Sequence, residues 1–154
     1  MYGKRMTATE VLDRGEAGST FCSHGGITLI VRNAYITDIE QVAAVESLCF
    51  PPSEAASRES LEKRIRCYGN HFWLMFDEER LISFVDGLVT DLPDLTDEMY
   101  ENAAMHNEEG DWQMIFGVVT VPSHRGRGKA CTLTSCCQGD RRHLHPSQQD
   151  QTGM

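Results

Sequence analysis

Residues 118–130, VVTVPSHRGRGKA, form the most informative stretch of this 154-residue chain. It opens on a β-branched run that is typical of a buried strand, and Pro122 ends that run because proline cannot donate to a strand ladder. Successive backbone N–H groups in a glycine-rich turn at the start of a helix form an anion-binding nest, which nearby cations strengthen. The stretch therefore predicts a strand that leads into a phosphate-binding turn. That turn consists of Arg125, Gly126, Arg127, Gly128, Lys129 and Ala130.

The residues before this stretch carry strand and helix signals in turn. Thr37 and Glu40 fit a capping box for a first helix, which the two prolines after Phe50 end. Ser57 can cap a second helix. In chain order, the sequence predicts a strand over 27–32, helices over 39–49 and 58–68, strands over 71–76 and 81–89, a short helix over 96–105 and a buried strand over 112–121.

Three segments differ in composition. Residues 1–27 are rich in Gly, Ser and Thr without periodicity, which predicts a loose extension. Residues 28–130 carry all the strand and helix patterns and predict a partial domain. Residues 131–154 have few apolar anchors and are predicted to be poorly ordered. Cysteines and histidines in this last segment could bind zinc, but their spacing matches no common zinc pattern, so no metal is predicted.

The charge distribution limits the classes of ligand. The formal net charge is −9, and residues 81–124 contain nine Asp or Glu but no Lys or Arg. Nucleic acid is excluded as a partner, because its binding depends on Lys and Arg that neutralise phosphates. The acidic stretch favours a cationic ligand, although a solvated acidic surface is the alternative explanation. No apolar run reaches the length of a membrane helix, and the absence of a signal peptide favours the cytoplasm.

The turn matches Arg/Gln-x-x-Gly-x-Gly/Ala, the acyl-CoA signature of the GNAT superfamily of N-acyltransferases, at Arg125, Gly128 and Ala130. The chain resembles that superfamily over residues 31–130. Residues 46–57, 71–73 and 97–106 resemble its serotonin N-acetyltransferase-like microbial branch. The resemblance implies an α/β fold with a mixed, mostly antiparallel sheet and flanking helices, incomplete at the C-terminus. The sheet would splay between its fourth and fifth strands, with the acyl-CoA in the gap.

The resemblance also implies a set of binding residues. Backbone groups of Val119 and Val121 would pair with the pantetheine arm, and a backbone N–H near Val118 or Val119 would stabilise the oxyanion. The amides of Arg125, Gly126, Arg127, Gly128, Lys129 and Ala130 would hold the pyrophosphate of acetyl-CoA. Phe50, Pro51, Pro52 and Glu54 would shape the pocket for the acceptor amine.

The resemblance does not assign the residue that accepts the proton of the amine. Vertebrate serotonin N-acetyltransferases carry a His-x-His pair on the fourth strand, and the equivalent residues 114–116 contain no His. Glu54 and His106 are the catalytic candidates by elimination, with Asp111 as a further alternative. His106 and Asp111 can equally be ordinary helix-end and loop residues, and Glu46 is expected to be a polar helix-face residue.

Two functions follow as expectations. The first is an N-acyltransferase that moves an acetyl group from acetyl-CoA to a small primary amine, such as an arylalkylamine or a polyamine, by direct attack. The second is a truncated, inactive remnant or a weak acyl-CoA binder, because the residues after Ala130 do not match the superfamily. In either case the strand over 112–121 would present an apolar edge, which a homodimer could cover.

Overall fold

The computed structural model describes the backbone of residues 11–15, 19–24, 26–126 and 143–144, and the side chains of residues 26–126. The strands are β1 Val11–Gly15, β2 Ser19–His24, β3 Ile27–Asn33, β4 Phe72–Asp77, β5 Arg80–Asp86, β6 Val89–Thr90, β7 Trp112–Gln113, β8 Gly117–Thr120 and β9 His143–Leu144. The helices are α1 Ile39–Cys49, α2 Arg58–Tyr68 and α3 Asp97–Glu101, and short 3-10 turns lie between them.

One antiparallel sheet organises the molecule. Its six strands lie in the order β1-β2-β3-β4-β5-β8, and a smaller sheet joins β6, β7 and β9. The predicted fold class, an α/β fold with a mostly antiparallel sheet and flanking helices, is confirmed. The core lies where α1 and α2 meet the sheet, and its buried side chains include Leu29, Val42, Leu61, Leu74, Ile82 and Phe84.

The N-terminal segment differs from its prediction. Residues 1–27 were expected to form a loose extension, yet residues 11–15 and 19–24 form a hairpin whose second strand pairs with β3. Cross-strand pairing with β3 satisfies the backbone of this polar segment, so its strands need no apolar periodicity of their own. Most of residues 131–154 lies outside the described part of the chain. Of this segment the structure describes β9, which pairs in parallel with β7.

A polar side chain is hydrogen-bonded at or near the start of each long helix, but its partners differ between α2 and α1. The Ser57 hydroxyl accepts a hydrogen bond from the Ser60 N–H at 3.1 Å, which confirms the predicted cap of α2. The predicted capping box of Thr37 and Glu40 is wrong. Asp38 stands there instead, and its carboxylate accepts from the Tyr35 N–H at 2.8 Å and from the guanidinium of Arg32.

The predicted strand over 112–121 is divided into β7 and β8. Phe116 and Gly117 both lie opposite Asp86, and the Phe116 N–H donates to the Asp86 carbonyl at 2.8 Å. Two residues opposite one define a β-bulge, which bends the strand and separates its two parts. Gly87 supports this bend, because a Cβ there would collide with the carbonyl oxygen of Met114. Within the described residues, no helix has the length and apolar composition needed to cross a bilayer.

Candidate functional site

The outer edge of β8 is the first element of the site. Residues 83 and 84 of β5 face Thr120 and Val119, and the Val121 N–H donates to the Ile82 carbonyl at 2.9 Å. Paired residues alternate in their hydrogen bonding, so Val119 and Val121 direct their backbone groups towards β5. Val118 and Thr120 direct theirs to the other side, where the described sheet has no further strand. In this register the backbone groups of Val119 and Val121, the predicted pantetheine contacts, face β5, and their role towards a ligand stays a prediction.

Side chains hold β8 in this position. The Ser83 hydroxyl donates to the Val119 carbonyl at 2.6 Å and lies 3.0 Å from the Thr120 hydroxyl. The Thr120 carbonyl accepts from Arg125 Nε at 2.9 Å and from the Cys49 thiol at 3.5 Å. Val118 keeps 38% of its surface exposed. The edge is therefore fixed by its neighbours, and the Val118 backbone lies on its open side.

The basic turn begins directly after β8. Pro122–His124 form a single 3-10 turn, and the His124 ring contacts Asp77 at 3.2 Å. Gly126 adopts a φ of 75°, a left-handed conformation that favours glycine. The predicted phosphate-binding residues Arg125 and Gly126 therefore lie where the chain leaves the open edge. The remaining four, Arg127, Gly128, Lys129 and Ala130, lie outside the described residues.

The loop between α1 and α2 is another element of the candidate site. Phe50 packs partly against the core, whereas Pro51, Pro52 and Glu54 are exposed. The Glu54 and Ala55 N–H groups both donate to the Pro51 carbonyl, which closes a compact turn. The Ala56 N–H donates to Glu46 Oε1 at 2.9 Å, so the loop is tied to the last turns of α1.

A buried charged cluster lies between this loop and the bulge. Arg64 donates to Asp86 at 3.0 Å and to the Tyr100 carbonyl at 2.9 Å, and it stacks over the Phe116 ring. The side chains of Arg64 and Asp86 are 9% and 3% exposed. Burial raises the pKa of Asp86 above its ordinary value, although Arg64 opposes that rise. Burial likewise raises the pKa of Glu46, and the charge of Asp86 adds to the effect.

Two polar atoms of this cluster have no hydrogen-bond partner among the described residues. They are Nε of Arg64 and the hydroxyl of Tyr68, and both are buried. The Tyr68 ring packs against Phe116 and His106. Burial raises the pKa of the Tyr68 hydroxyl far above its ordinary value, so it stays neutral. Buried polar groups without a partner mark a place for water or a polar ligand atom.

His106 belongs to a separate hydrogen-bonded cluster. Its Nδ1 accepts from the Val89 N–H at 3.1 Å, so the neutral ring carries its proton on Nε2, which faces Glu108 at 3.0 Å. His71 contacts Glu108 with Nε2 and Gln113 with Nδ1. Burial alone would raise the pKa of Glu108, but hydrogen bonds from His71 and Asn70 and the nearby histidines lower it to about 2.

That cluster also offers the geometry of a metal site, since ligand atoms of His71, His106 and Glu108 lie within 4.8 Å of one another. A metal ion would need the lone pair of His106 Nε2, which holds a proton in this arrangement. The geometry therefore fits a hydrogen-bonded cluster better than a metal site.

Comparison with solved structures identifies the fold of the chain. No family model and no curated protein matches the chain. Among solved structures, the GphF GNAT-like decarboxylase in complex with isobutyryl-CoA aligns with a TM-score of 0.64 at 20% identity, over 71% of this chain and 57% of that one. The loading GNATL domain of CurA from Lyngbya majuscula aligns at 0.66 and 18% identity, over 72% and 57%. The chain has a GNAT fold.

A third structure of this fold is similar at lower score. Diaminobutyrate acetyltransferase EctA from Paenibacillus lautus, in complex with L-2,4-diaminobutyric acid and coenzyme A, aligns at 0.54 and 12% identity, over 73% of this chain and 58% of that one. The chain thus spans 57% of the length of the first two GNAT structures. The serotonin N-acetyltransferase-like branch, the homodimer and the cytoplasmic location stay predictions.

Within the GNAT fold, the structure separates the predicted catalytic residues. Glu54 is exposed on the loop, Asp111 is exposed beside β7, and His106 lies in the Glu108 cluster. Arg64 and Asp86 were not among the predicted site residues. A signal for both was available, because Arg64 interrupts the apolar stripe of α2 and Asp86 follows the apolar residues of β5.

Proposed function

We propose that this chain is an N-acyltransferase that moves an acetyl group from acetyl-CoA to a small primary amine. The observation that carries the proposal is the open edge of β8, where the Val118 backbone faces away from β5, shortly before the turn at Gly126. An extended pantetheine arm can add to that edge as a further strand would.

The proposed ligand position follows from the order of these groups along the chain. The pyrophosphate would lie at the turn that begins with Arg125 and Gly126, and residues 127–130 would complete its anion nest. The thioester would lie near the bulge, where the Val118 N–H is the proposed donor to the oxyanion. The amine nitrogen would attack the thioester carbon, and the coenzyme A thiolate would leave.

The amine would enter beside the loop that contains Phe50, Pro51, Pro52 and Glu54. The acidic residues between 81 and 124 favour a substrate that approaches as a cation. A solved structure of the same fold, EctA, holds a diamino acid together with coenzyme A, which supports the pairing of an amine acceptor with an acyl-CoA.

Decarboxylation of a carboxylated acyl-CoA is the second candidate. The observation that favours it is the better fit to the GphF decarboxylase and the CurA GNATL domain, with TM-scores of 0.64 and 0.66, than to EctA. That reaction would break a carbon–carbon bond and release carbon dioxide, and it would leave the thioester intact.

Assays of thiol release and carbon dioxide release separate the two candidates. The purified chain would be incubated with acetyl-CoA and a panel of arylalkylamines, diamines and polyamines, and separately with malonyl-CoA. We expect thiol release and an acetylated amine by mass spectrometry. Carbon dioxide release without free thiol would favour the decarboxylase. An absence of turnover, with no shift of the melting temperature by acetyl-CoA, would support the inactive remnant instead.

Arg125 tests the proposed pyrophosphate position. Arg125→Ala should raise the KM for acetyl-CoA about tenfold and leave that for the amine unchanged, because one charge-assisted contact to phosphate is lost. Arg80→Ala, at the exposed start of β5, is the matched control and should leave both constants unchanged. An unchanged KM for acetyl-CoA in Arg125→Ala would contradict the proposed position.

A further inference from the structure

The buried cluster beneath the bulge holds more negative than positive charge. Its one cation, Arg64, bonds to Asp86, and its remaining Nη2 contact goes to the neutral carbonyl of Tyr100. Glu46 is the second carboxyl group, and it is only 7% exposed. Because one guanidinium neutralises one carboxylate, the charge of Glu46 is left without a matching cation inside the cluster.

The hydrogen bonds of Glu46 leave it able to take a proton. Oε1 accepts from the Ala56 N–H at 2.9 Å, and no other donor among the described residues bonds to the carboxyl group. A backbone N–H stabilises a carboxylate much less than a full positive charge does. Burial raises the pKa of Glu46, the negative charge of Asp86 raises it further, and Arg64 only partly opposes them. A raised pKa brings a carboxyl group closer to the range in which a general base works at neutral pH.

Glu46 also lies near both of the regions proposed to bind the substrates. It is bonded to the loop of the proposed amine pocket through Ala56. Cys49, one turn further along α1, reaches the Thr120 carbonyl of β8. Asp86, whose charge acts on Glu46, is paired with Gly117 at the bulge. The carboxyl group is therefore bonded to the amine loop, and β8 is contacted by Cys49 on the same helix and by Asp86.

We propose that Glu46 accepts the proton that the amine loses as it attacks the thioester. The inference rests on the proposed function, which supplies the amine and the acyl-CoA. An amine that arrives as a cation first loses one proton to solvent, which frees the lone pair of its nitrogen. The neutral nitrogen then attacks: the nitrogen–carbon bond forms, the carbon–sulphur bond breaks, and the second proton moves from nitrogen to Glu46, directly or through one water. The thiolate leaves and takes a proton from solvent, and Glu46 returns its own proton to solvent.

The unpartnered Tyr68 hydroxyl and Arg64 Nε support this position. Both are buried in the same cluster, and both are donors that point to a missing acceptor. The other candidates are less suited, because Glu54 is exposed and His106 already carries its proton on the nitrogen that faces Glu108.

Glu46→Gln is the decisive variant. Gln keeps an oxygen that accepts from the Ala56 N–H but cannot take a proton, so the loop stays in place. We expect kcat to fall by about 10²–10⁴-fold, the size usual for loss of a general base. The limb of the pH–rate profile that reports ionisation of Glu46 should disappear, whereas the limb that reports deprotonation of the amine should remain, and the KM for acetyl-CoA should stay unchanged. Glu59→Gln, at an exposed position of α2, is the control and should keep the wild-type rate.

The outcomes distinguish the two proposals. A wild-type protein that releases no thiol with any amine would overturn the proposed function, and the inference with it. An active wild type with an equally active Glu46→Gln, and an unchanged pH profile, would overturn the inference alone. If Glu46→Gln does not melt cooperatively, Glu46→Asp decides. A slower rate with a displaced pH limb supports the inference, and an unchanged rate and limb overturn it.

Discussion

Two Arg–Asp pairs stabilise this molecule, and they differ in how completely they are satisfied. Arg32 binds both oxygens of Asp38 at 2.8 Å, stacks on Phe76 and Tyr35, and is 24% exposed. Asp38 also accepts from the Tyr35 N–H. Burial alone would raise the pKa of Asp38, but these hydrogen bonds and the charge of Arg32 lower it.

The Arg64–Asp86 pair has the same two residue types and the opposite outcome. It makes a single hydrogen bond between its two charged groups, is almost completely buried, and has Glu46 as a neighbouring carboxyl group. Burial raises the pKa of Asp86, and Nε of Arg64 has no partner in the described part of the chain. The first pair has both carboxylate oxygens bonded near the start of α1, whereas the second has an unpartnered donor and a second carboxyl group beside it.

The largest expected effect is the loss of unfolding free energy when the arginine of the buried pair is replaced. Arg64→Met leaves Asp86 and Glu46 buried without a cation, so the free energy of unfolding should fall by about 3–5 kcal/mol. Urea unfolding at neutral pH measures it. Arg66→Met, on the same helix but in an exposed ion pair with Glu62, should cost no more than about 0.5 kcal/mol. Equal losses in the two variants would remove the distinction between buried and exposed pairs.

A smaller effect is expected at the satisfied pair. Arg32→Met removes two charge-assisted hydrogen bonds and two stacking contacts, but Asp38 keeps the Tyr35 N–H and can gain water. The free energy of unfolding should fall by about 1–2 kcal/mol in the same urea experiment. A loss as large as that of Arg64→Met would show that exposure does not separate the two pairs.

The smallest effect concerns the dependence of stability on pH, which should have opposite signs in the two regions. The lowered pKa of Asp38 gives stability that is present above about pH 4 and is lost as the pH falls through the native pKa. The raised pKa of Glu46 gives stability that is present below its ordinary pKa of 4.5 and is lost as the pH rises through the native pKa. Asp38→Asn should therefore flatten the acid side of the stability curve, and Glu46→Gln the side above pH 4.5.

Unfolding free energies measured at intervals between pH 2 and pH 8 would test the signs. Glu108 also contributes to the acid side, since its pKa is about 2, so Glu108→Gln is needed as a reference for Asp38→Asn. A variant curve that runs parallel to that of the wild type would show that the substituted carboxyl group does not titrate with folding.

Much of the fold could be predicted because its signals are local. Ser57 caps α2 through a residue three positions away, and the β4–β5 hairpin needs only a short turn between two apolar runs. The bulge was not predictable, since residues 112–121 form one largely apolar run that continues on either side of it. The register of β8 was not predictable for the same reason, and it turns the Val119 backbone towards β5 and the Val118 backbone towards the open edge.

The sequence by itself determined the order of helices and strands, the resemblance to the GNAT superfamily, and the place of the basic turn after a buried strand. All of these depend on residues close together in the chain. Only the tertiary structure decided that residues 11–15 and 19–24 join the sheet, that Val118 lies at its open edge, and that Arg64, Asp86 and Glu46 meet. Those contacts join elements that pack across the core. There the pKa of each group depends on its burial and on the charges around it, and not on residue type alone.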